Sequence, residues 1–232
     1  MDSIISTPLF GIALSLLAFD IGCIVYKKAK LPIFNPIIVS TSIIILFLLK
    51  FDISIEDYNK GADFISFLLG PATIVLAVPL YKQLHLLKAN SVAIISGITV
   101  GCITSIVSVA ALSNIMGLDS IIGLSVVPKA ITTPIGIELS KQIGGIPALT
   151  VVTIILVGNI GYAIAPFVCR LFGIKDKVAV GVSIGTSSHA LGTTRAMELG
   201  EVEGAMSGLS IGLAGIFTVL LVPIVLKLIN FI

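Results

Sequence analysis

The sequence predicts an all-α polytopic membrane protein: about six full transmembrane helices plus two broken or re-entrant helical hairpins, arranged as an inverted repeat of the kind secondary transporters use. Three observations predict it. The chain has 232 residues, 56% hydrophobic and only 11% charged, whereas a soluble domain carries about 25% charged residues; its mean hydropathy is +1.17. The apolar runs are long and continuous rather than alternating, which fits helices in lipid and not strands. Two further apolar segments, both in the C-terminal half, are interrupted by polar residues at mid-length.

A helix needs about 20 apolar residues to cross the hydrocarbon core. Six stretches qualify, at Pro8–Tyr26, Pro32–Leu49, Gly61–Tyr81, Asn90–Met116, Ile146–Cys169 and Gly204–Leu226. No basic residue precedes the first, and Lys27, Lys28 and Lys30 follow it. It therefore reads as a retained span with its N-terminus outside, not as a cleaved leader. The loop from Lys50 to Asp63 carries Asp52, Glu56 and Asp57 and falls outside. Lys82 and Lys88 return the chain inside, and the fourth span ends outside at Asp119.

The segment Ser120–Ser140 breaks at Pro128–Pro134, and Val178–Leu199 breaks at Thr186–Arg195. Each half is about ten residues, or roughly 15 Å of helix, half a membrane. Each segment is either one broken span or a hairpin with its tip at mid-depth. If the first re-enters, Arg170, Lys175 and Lys177 fall inside with the other lysines, as the positive-inside rule favours. For the second, an internal repeat speaks: Gly123-Leu124-Ser125-Val126 aligns with Gly181-Val182-Ser183-Ile184, and Thr132-Thr133 through Glu138-Leu139 aligns with Thr193-Thr194 through Glu198-Leu199. Two hairpins separated by one span enter from opposite faces, which makes an inverted repeat. The chain then forms a single integral membrane domain, with a four-helix scaffold over residues 1–118 and a transport core over 119–232 that contains segments 120–140 and 178–199.

Irregular backbone at membrane depth needs protein or water around it, so two breaks imply a shared polar cavity. Thr133, with Pro134 behind it, is the expected cap of the helix after the first break; Thr193 or Thr194 is that of the second. Both helix N-termini would point free N–H groups into the cavity. Lys129 and Arg195 add positive charge, His189 a titratable group, and Thr132, Ser187 and Ser188 hydroxyls. The sum is an anion site, most naturally for a small carboxylate. Each group has a plainer reading. Lys129 could pair with Glu138 or Glu198, Arg195 could tie to Glu198 or Glu201, and His189 could be a hydrogen-bonded packing residue. Glu138, Glu198 and Asp20 are candidates for coupling or charge balance. Asn159, beside Gly158 and Gly161, fits a close helix crossing. Gly204, Gly208, Gly212 and Gly215 give the last span a small face on which a homodimer could form.

Several classes fall away. With a net charge of +2 and no basic run, the chain does not read as a nucleic-acid binder. Cys23, Cys102 and Cys169 form no CxxC pair and lie far from His at ligand spacing, so neither metal nor cofactor is expected. Ser187-Ser188-His189 lacks a nucleophile elbow, and no HExxH motif occurs, so the chain does not read as an enzyme.

The stretches Pro128-Lys129-Ala130-Ile131-Thr132-Thr133-Pro134-Ile135, Ile143–Thr150 and above all Gly185–Ala205 resemble the LrgB/CidB family. Ala130 and Ile131 stand where a more polar pair is usual, and Leu191 where Ile is common; no charged or hydroxyl group of the breaks is lost. The resemblance implies a bacterial cytoplasmic-membrane protein, described as antiholin-like or as a regulator of murein hydrolase export, working beside a small LrgA/CidA-type membrane partner. It also implies kinship with the plastidal glycolate/glycerate translocator and with pyruvate movement. The expected function is transport of small monocarboxylates of the pyruvate, glycolate or glycerate class, with possible proton coupling. The alternative is a holin-like or antiholin-like protein that regulates murein hydrolase release and lysis.

Overall fold

The computed structural model describes residues 7–29, 34, 36–68, 71, 81–82 and 84–231, and every regular element among them is helical. The protein is an all-α membrane protein. Four of the described helices are long and apolar enough to cross a bilayer. The chain divides into two compact units, Met1–Val75 and Leu76–Ile232.

The N-terminal unit contains α1 (Pro8–Ala29), α2 (Pro36–Lys50) and α3 (Ile55–Phe67). α1 crosses α3 at two glycines: a Cβ on Gly11 would meet the Tyr58 carbonyl, and one on Gly61 would meet that of Pro8. Ser15 Oγ lies 2.8 Å from the Tyr58 hydroxyl at the same crossing. The acidic stretch read as a loop from Lys50 to Asp63 is helical from Ile55. Ser54 Oγ accepts from Asp57 N at 3.1 Å and caps the helix, and Glu56 and Asp57 sit in its positive first turn. Only the start of the predicted span Gly61–Tyr81 belongs to α3; most of the rest, like residues 32–33 of the second span, lies outside the described residues.

The C-terminal unit contains α4 (Leu84–Ala89), α5 (Ser91–Ile115), α6 (Ser120–Val126) running into a 3-10 turn (Val127–Ala130), α7 (Thr133–Ile143), α8 (Pro147–Leu171), α9 (Lys177–Leu199) and α10 (Glu201–Leu228). The long helices α5, α8 and α10 fall on predicted spans; α10 begins three residues before its predicted start. α5 and α8, at 25 residues each, reach roughly 37 Å at 1.5 Å per residue and cross the core.

The segment from α6 to α7 is a hairpin. Thr150 Oγ1, near the start of α8, lies 2.7 Å from both the Ser125 carbonyl oxygen and Ser140 Oγ. Ile146 N donates to Ser125 Oγ at 2.7 Å. Ser125 is in the ascending arm and Ser140 in the descending one, so the arms lie side by side. Gly144 closes α7 at φ 85°, a left-handed cap that suits glycine.

α9 is the second hairpin. Its backbone leaves helical geometry only at Ser188 (φ −138°, ψ 16°) and His189 (φ 42°, ψ −138°). In a straight helix Ile184 and Gly192 would stand about 12 Å apart. Instead a Cβ on Gly192 would lie 3.1 Å from the Ile184 carbonyl oxygen. α10 confirms the fold-back. Ser207 meets Gly185 of one arm through its backbone and Thr193 of the other through its hydroxyl, at 2.7 Å. One turn earlier, Glu203 abuts Gly181, and Gly204 abuts Met197.

The two hairpins approach α8 from opposite ends. The first starts from the N-terminal end of α8, and its Gly136 packs on the Ile154 side chain. The second follows the C-terminal end, and its tip packs on Gly158 and Gly161. The aligned serines show the inversion directly. Ser125 bonds at the start of α8, whereas Ser183 lies 3.9 Å from Cys169 near its end. Outward faces carry large apolar residues such as Leu112, Ile160, Phe167 and Leu220, as lipid contact requires.

Two measurements check this fold. In a cysteine-free background, single cysteines at Leu118 and Lys141 are expected to label from one face of the membrane, and those at Lys175 and Glu201 from the other. Labelling of either pair from opposite faces would exclude its hairpin. Gly185→Val forces a side chain against the Ser207 backbone and is expected to cost about 1–3 kcal/mol. Gly208→Val, at a position facing open space, is expected to leave the detergent melting temperature nearly unchanged.

Candidate functional site

The local sequence explains both tips. Pro128 and Pro134 bracket the first, removing donors the helix would otherwise need, and between them Ile131 is extended, with φ −108° and ψ 175°. Thr132, with ψ 148°, is the residue that caps α7; its carbonyl accepts from Gly136 N at 2.8 Å. The expected cap, Thr133, is instead the first helical residue, with Pro134 second.

The second tip is a single reversal. His189 holds a positive φ that a side chain rarely adopts. Tertiary contacts keep it there: its ring is 4% exposed, lies against Gly158, and Nε2 donates to the Ile154 carbonyl at 2.9 Å. Ser188, equally buried, fills the space left by Gly161. Thr193 and Thr194 are not caps. Both are inside the returning helix, where their hydroxyls bond back to the carbonyls of His189 and Ala190 at 3.0 and 3.3 Å.

Between α5, the first tip, mid-α8 and the rising arm of α9 lies a cavity of about 750 Å³. Asn90 and Asp176 stand at one end of its lining, and Ser105, Ser108 and Lys129 at the deep end. Beyond Lys129 the way is filled by a buried apolar cluster that includes Ile106, Val109, Val127, Ile131 and Leu139. The cavity is therefore entered from the end where α5 begins.

Lys129 is half-buried, and its Nζ donates to Ser105 Oγ at 2.7 Å. An ammonium carries three donors, so this bond leaves two. The carboxylates considered as its partners are engaged elsewhere. Glu138 pairs with Lys141 at 2.8 Å, and Glu198 with Arg195 at 2.6 Å. Among the described residues Lys129 forms no ion pair.

The structure thus divides the predicted site. Lys129 and Ser187 line the cavity. Ser188, His189 and Thr193 are structural at the second tip. Thr132 and Thr133 shape the first. Thr194 is exposed. Arg195 belongs to a different cluster, where it pairs with Glu198, lies 5.6 Å from the Tyr162 ring centroid, and shares Glu198 with the Tyr162 hydroxyl at 2.8 Å. Asp20 is exposed on α1 of the N-terminal unit. Asn159 bonds back to the Ile155 carbonyl, and Gly158 and Gly161 beside it make the close crossing.

The cavity also holds residues that sequence reasoning passed over. Thr104, Ser105 and Ser108 of α5 and Thr186 of α9 line it. The signal was present: Gly97, Gly101, Thr104, Ser105 and Ser108 recur at helical spacing within an uncharged span, a small and polar stripe on one face.

Comparison with known proteins bears on the same residues. The family model described as the LrgB-like family matches residues 15–228. The chain is 40% identical over 225 residues to the antiholin-like protein LrgB of Bacillus mycoides (strain KBAB4), covering 97% of this chain and 98% of that one. The same identity and coverage hold for the antiholin-like protein LrgB of Bacillus cereus (strain B4264). No solved structure matches the chain significantly.

His189 offers a sharp test of the second tip. His189→Ala loses the bond to Ile154 and keeps the unfavourable φ; His189→Gly loses the same bond but relieves the backbone. Both are expected to be less stable than the parent, and the glycine variant more stable than the alanine one by about 1 kcal/mol. Thermal unfolding in detergent measures the order, and the reverse order would show that the reversal does not hold its φ.

Proposed function

The chain belongs to the LrgB-like family, and from that premise we propose that it is an antiholin-like protein of the bacterial cytoplasmic membrane whose molecular activity is the passage of small monocarboxylate anions through the hairpin core. The names of its relatives speak to a cellular role. The cavity speaks to chemistry.

One observation carries the chemical reading: a half-buried lysine at the floor of a membrane cavity, bonded to a serine and, among the described residues, paired with no carboxylate. An intramembrane cation without a fixed counter-ion is costly and marks a path or site for an anion. Lys129 stands beside the hydroxyls of Ser105 and Ser108 at the deep end, and Asp176 stands at the other end of the lining, so it is the deep end that suits a single negative charge. Arg195, bonded in its own cluster, supports the returning arm and is not part of this anion site.

Sidedness supports passage over mere binding. Lys88, Arg170, Lys175 and Lys177 lie at the open end of the cavity, and Lys141 and Lys227 at the opposite end of the unit. The positive-inside rule makes the open end cytoplasmic. The apolar cluster beyond Lys129 closes the other way, as expected of a protein that exposes its site to one side at a time.

A second reading has its own support. Gly208 and Gly212 on α10 face open space, one turn apart. A second copy, or a small LrgA/CidA-type membrane protein, could pack there and set lysis control without flux.

Uptake of labelled pyruvate or glycolate into proteoliposomes separates the two. Lys129→Met is expected to lower uptake at least ten-fold, about the value of one charge-assisted bond. Absence of carboxylate flux in the parent, together with intact lysis control in Lys129→Met, would leave the antiholin reading alone.

A further inference from the structure

Every hydroxyl of α9 but one has a hydrogen-bond partner. In a helix, Ser and Thr ordinarily bond back to a carbonyl three or four residues earlier. Ser183 Oγ bonds to the Val180 carbonyl at 2.9 Å, Ser187 to Ile184, Thr193 to His189 and Thr194 to Ala190. Ser188 Oγ lies 3.0 Å from Ser187 Oγ. Thr186 is 9% exposed, and its Oγ1 is sealed with no hydrogen-bond partner. Leaving a buried hydroxyl unpaired is unfavourable by about 1–3 kcal/mol, and nothing else about this turn of helix requires it.

The rest of the side chain shows where the hydroxyl can go. Thr186 lines the cavity, and its methyl group packs on Gly101: a Cβ on Gly101 would stand 2.9 Å from Thr186 Cγ2. Helical threonine divides between two χ1 rotamers of comparable energy. A turn about χ1 brings Oγ1 out from its sealed position. Gly101 admits the Thr186 side chain, and Gly97, one turn earlier on the same wall, faces open space, so the cavity beside Thr186 has room for a ligand.

We propose that Thr186 is a specificity residue of this cavity: its hydroxyl turns inward to hydrogen-bond a second polar group on a monocarboxylate held by Lys129. This rests on the anion-passage reading above and adds to it. The lysine recognises the charge and treats all small carboxylates alike. Thr186 distinguishes acids that carry a further oxygen from acids of the same length that carry none, because only the former satisfy the hydroxyl. The tip of the first hairpin and the rising arm of the second would thus read two ends of one small ligand. A ligand that engages both would hold the first tip and the rising arm of α9 together.

Lactate and propionate share a carbon skeleton and differ by one hydroxyl. Competition of each against labelled pyruvate uptake in proteoliposomes, with the full chain, gives a ratio of apparent affinities. The parent is expected to prefer lactate about ten-fold, the size of one buried hydroxyl left paired or unpaired. Thr186→Val keeps the shape and the contact with Gly101, and is expected to bring the ratio near unity while propionate affinity stays as it was. Thr186→Ser removes the methyl, keeps the hydroxyl, and is expected to retain the preference. A preference that persists in Thr186→Val, or disappears in Thr186→Ser, overturns the assignment of Thr186 and leaves anion passage standing. A parent that moves no carboxylate, with Lys129→Met indistinguishable from it, overturns both.

Discussion

The C-terminal unit depends on how closely two helix reversals can approach a third helix inside a membrane. Backbone that leaves a helix in hydrocarbon must find partners in protein, since lipid offers none. The turn of α8 from Ile154 to Gly161 supplies them. The missing side chains at Gly158 and Gly161 let the His189 ring and Ser188 reach the α8 backbone, and the Ile154 carbonyl accepts from His189. From the other end the first hairpin sets Gly136 on the Ile154 side chain. One residue of α8 therefore touches both hairpins, and both tips are held at the same depth.

That depth determines what the cavity is. A tip held half-way across places Lys129 at the floor of a space open at one end. Its nearest polar neighbours come from α5, a helix with no charge of its own. Tying Lys129 to Glu138 or Glu198 would have filled the site with an internal ion pair. The fold instead spends each carboxylate locally, on Lys141 and on Arg195 three residues away. The two glutamates sit on the returning arms at repeat-related positions, although their partners lie on opposite sides of them, Lys141 three residues after Glu138 and Arg195 three before Glu198.

Much of this was legible in the chain. Continuous apolar runs are read directly as spans, and α5, α8 and α10 lie on them. The lysine distribution and the serine repeat together pointed to inverted hairpins, and Ser125 and Ser183 do meet opposite ends of α8. The repeat misled one turn further on. Thr193-Thr194 looks like Thr132-Thr133, yet the second reversal occurs at Ser188-His189. Nothing local marks it, because His189 owes its conformation to Gly158 and Ile154, distant in sequence. Arg195 was drawn into the anion site for the same reason: its charge was visible and Tyr162 was not. Thr104, Ser105 and Ser108 were hidden by averaging, since a few hydroxyls barely lower the hydropathy of so apolar a span.

A holin-like role and an anion-passing role make different demands on a chain. A protein that only opens or plugs lesions needs apolar faces that self-associate, and α10 carries two glycines that face open space. On the anion-passing reading proposed above, a lysine without an ion pair among the described residues, a glycine that admits a strained histidine, and an apolar cluster beyond the cavity floor each have a use. Two of these are unfavourable alone: the half-buried cation through desolvation, the positive φ through strain. They lie in different places: Lys129 is on the cavity wall, and His189 is against Gly158 of α8, where it holds the hairpin whose rising arm forms another wall. The antiholin-like names of the relatives and the chemistry of the cavity are compatible if lysis control responds to which carboxylates cross, and how fast.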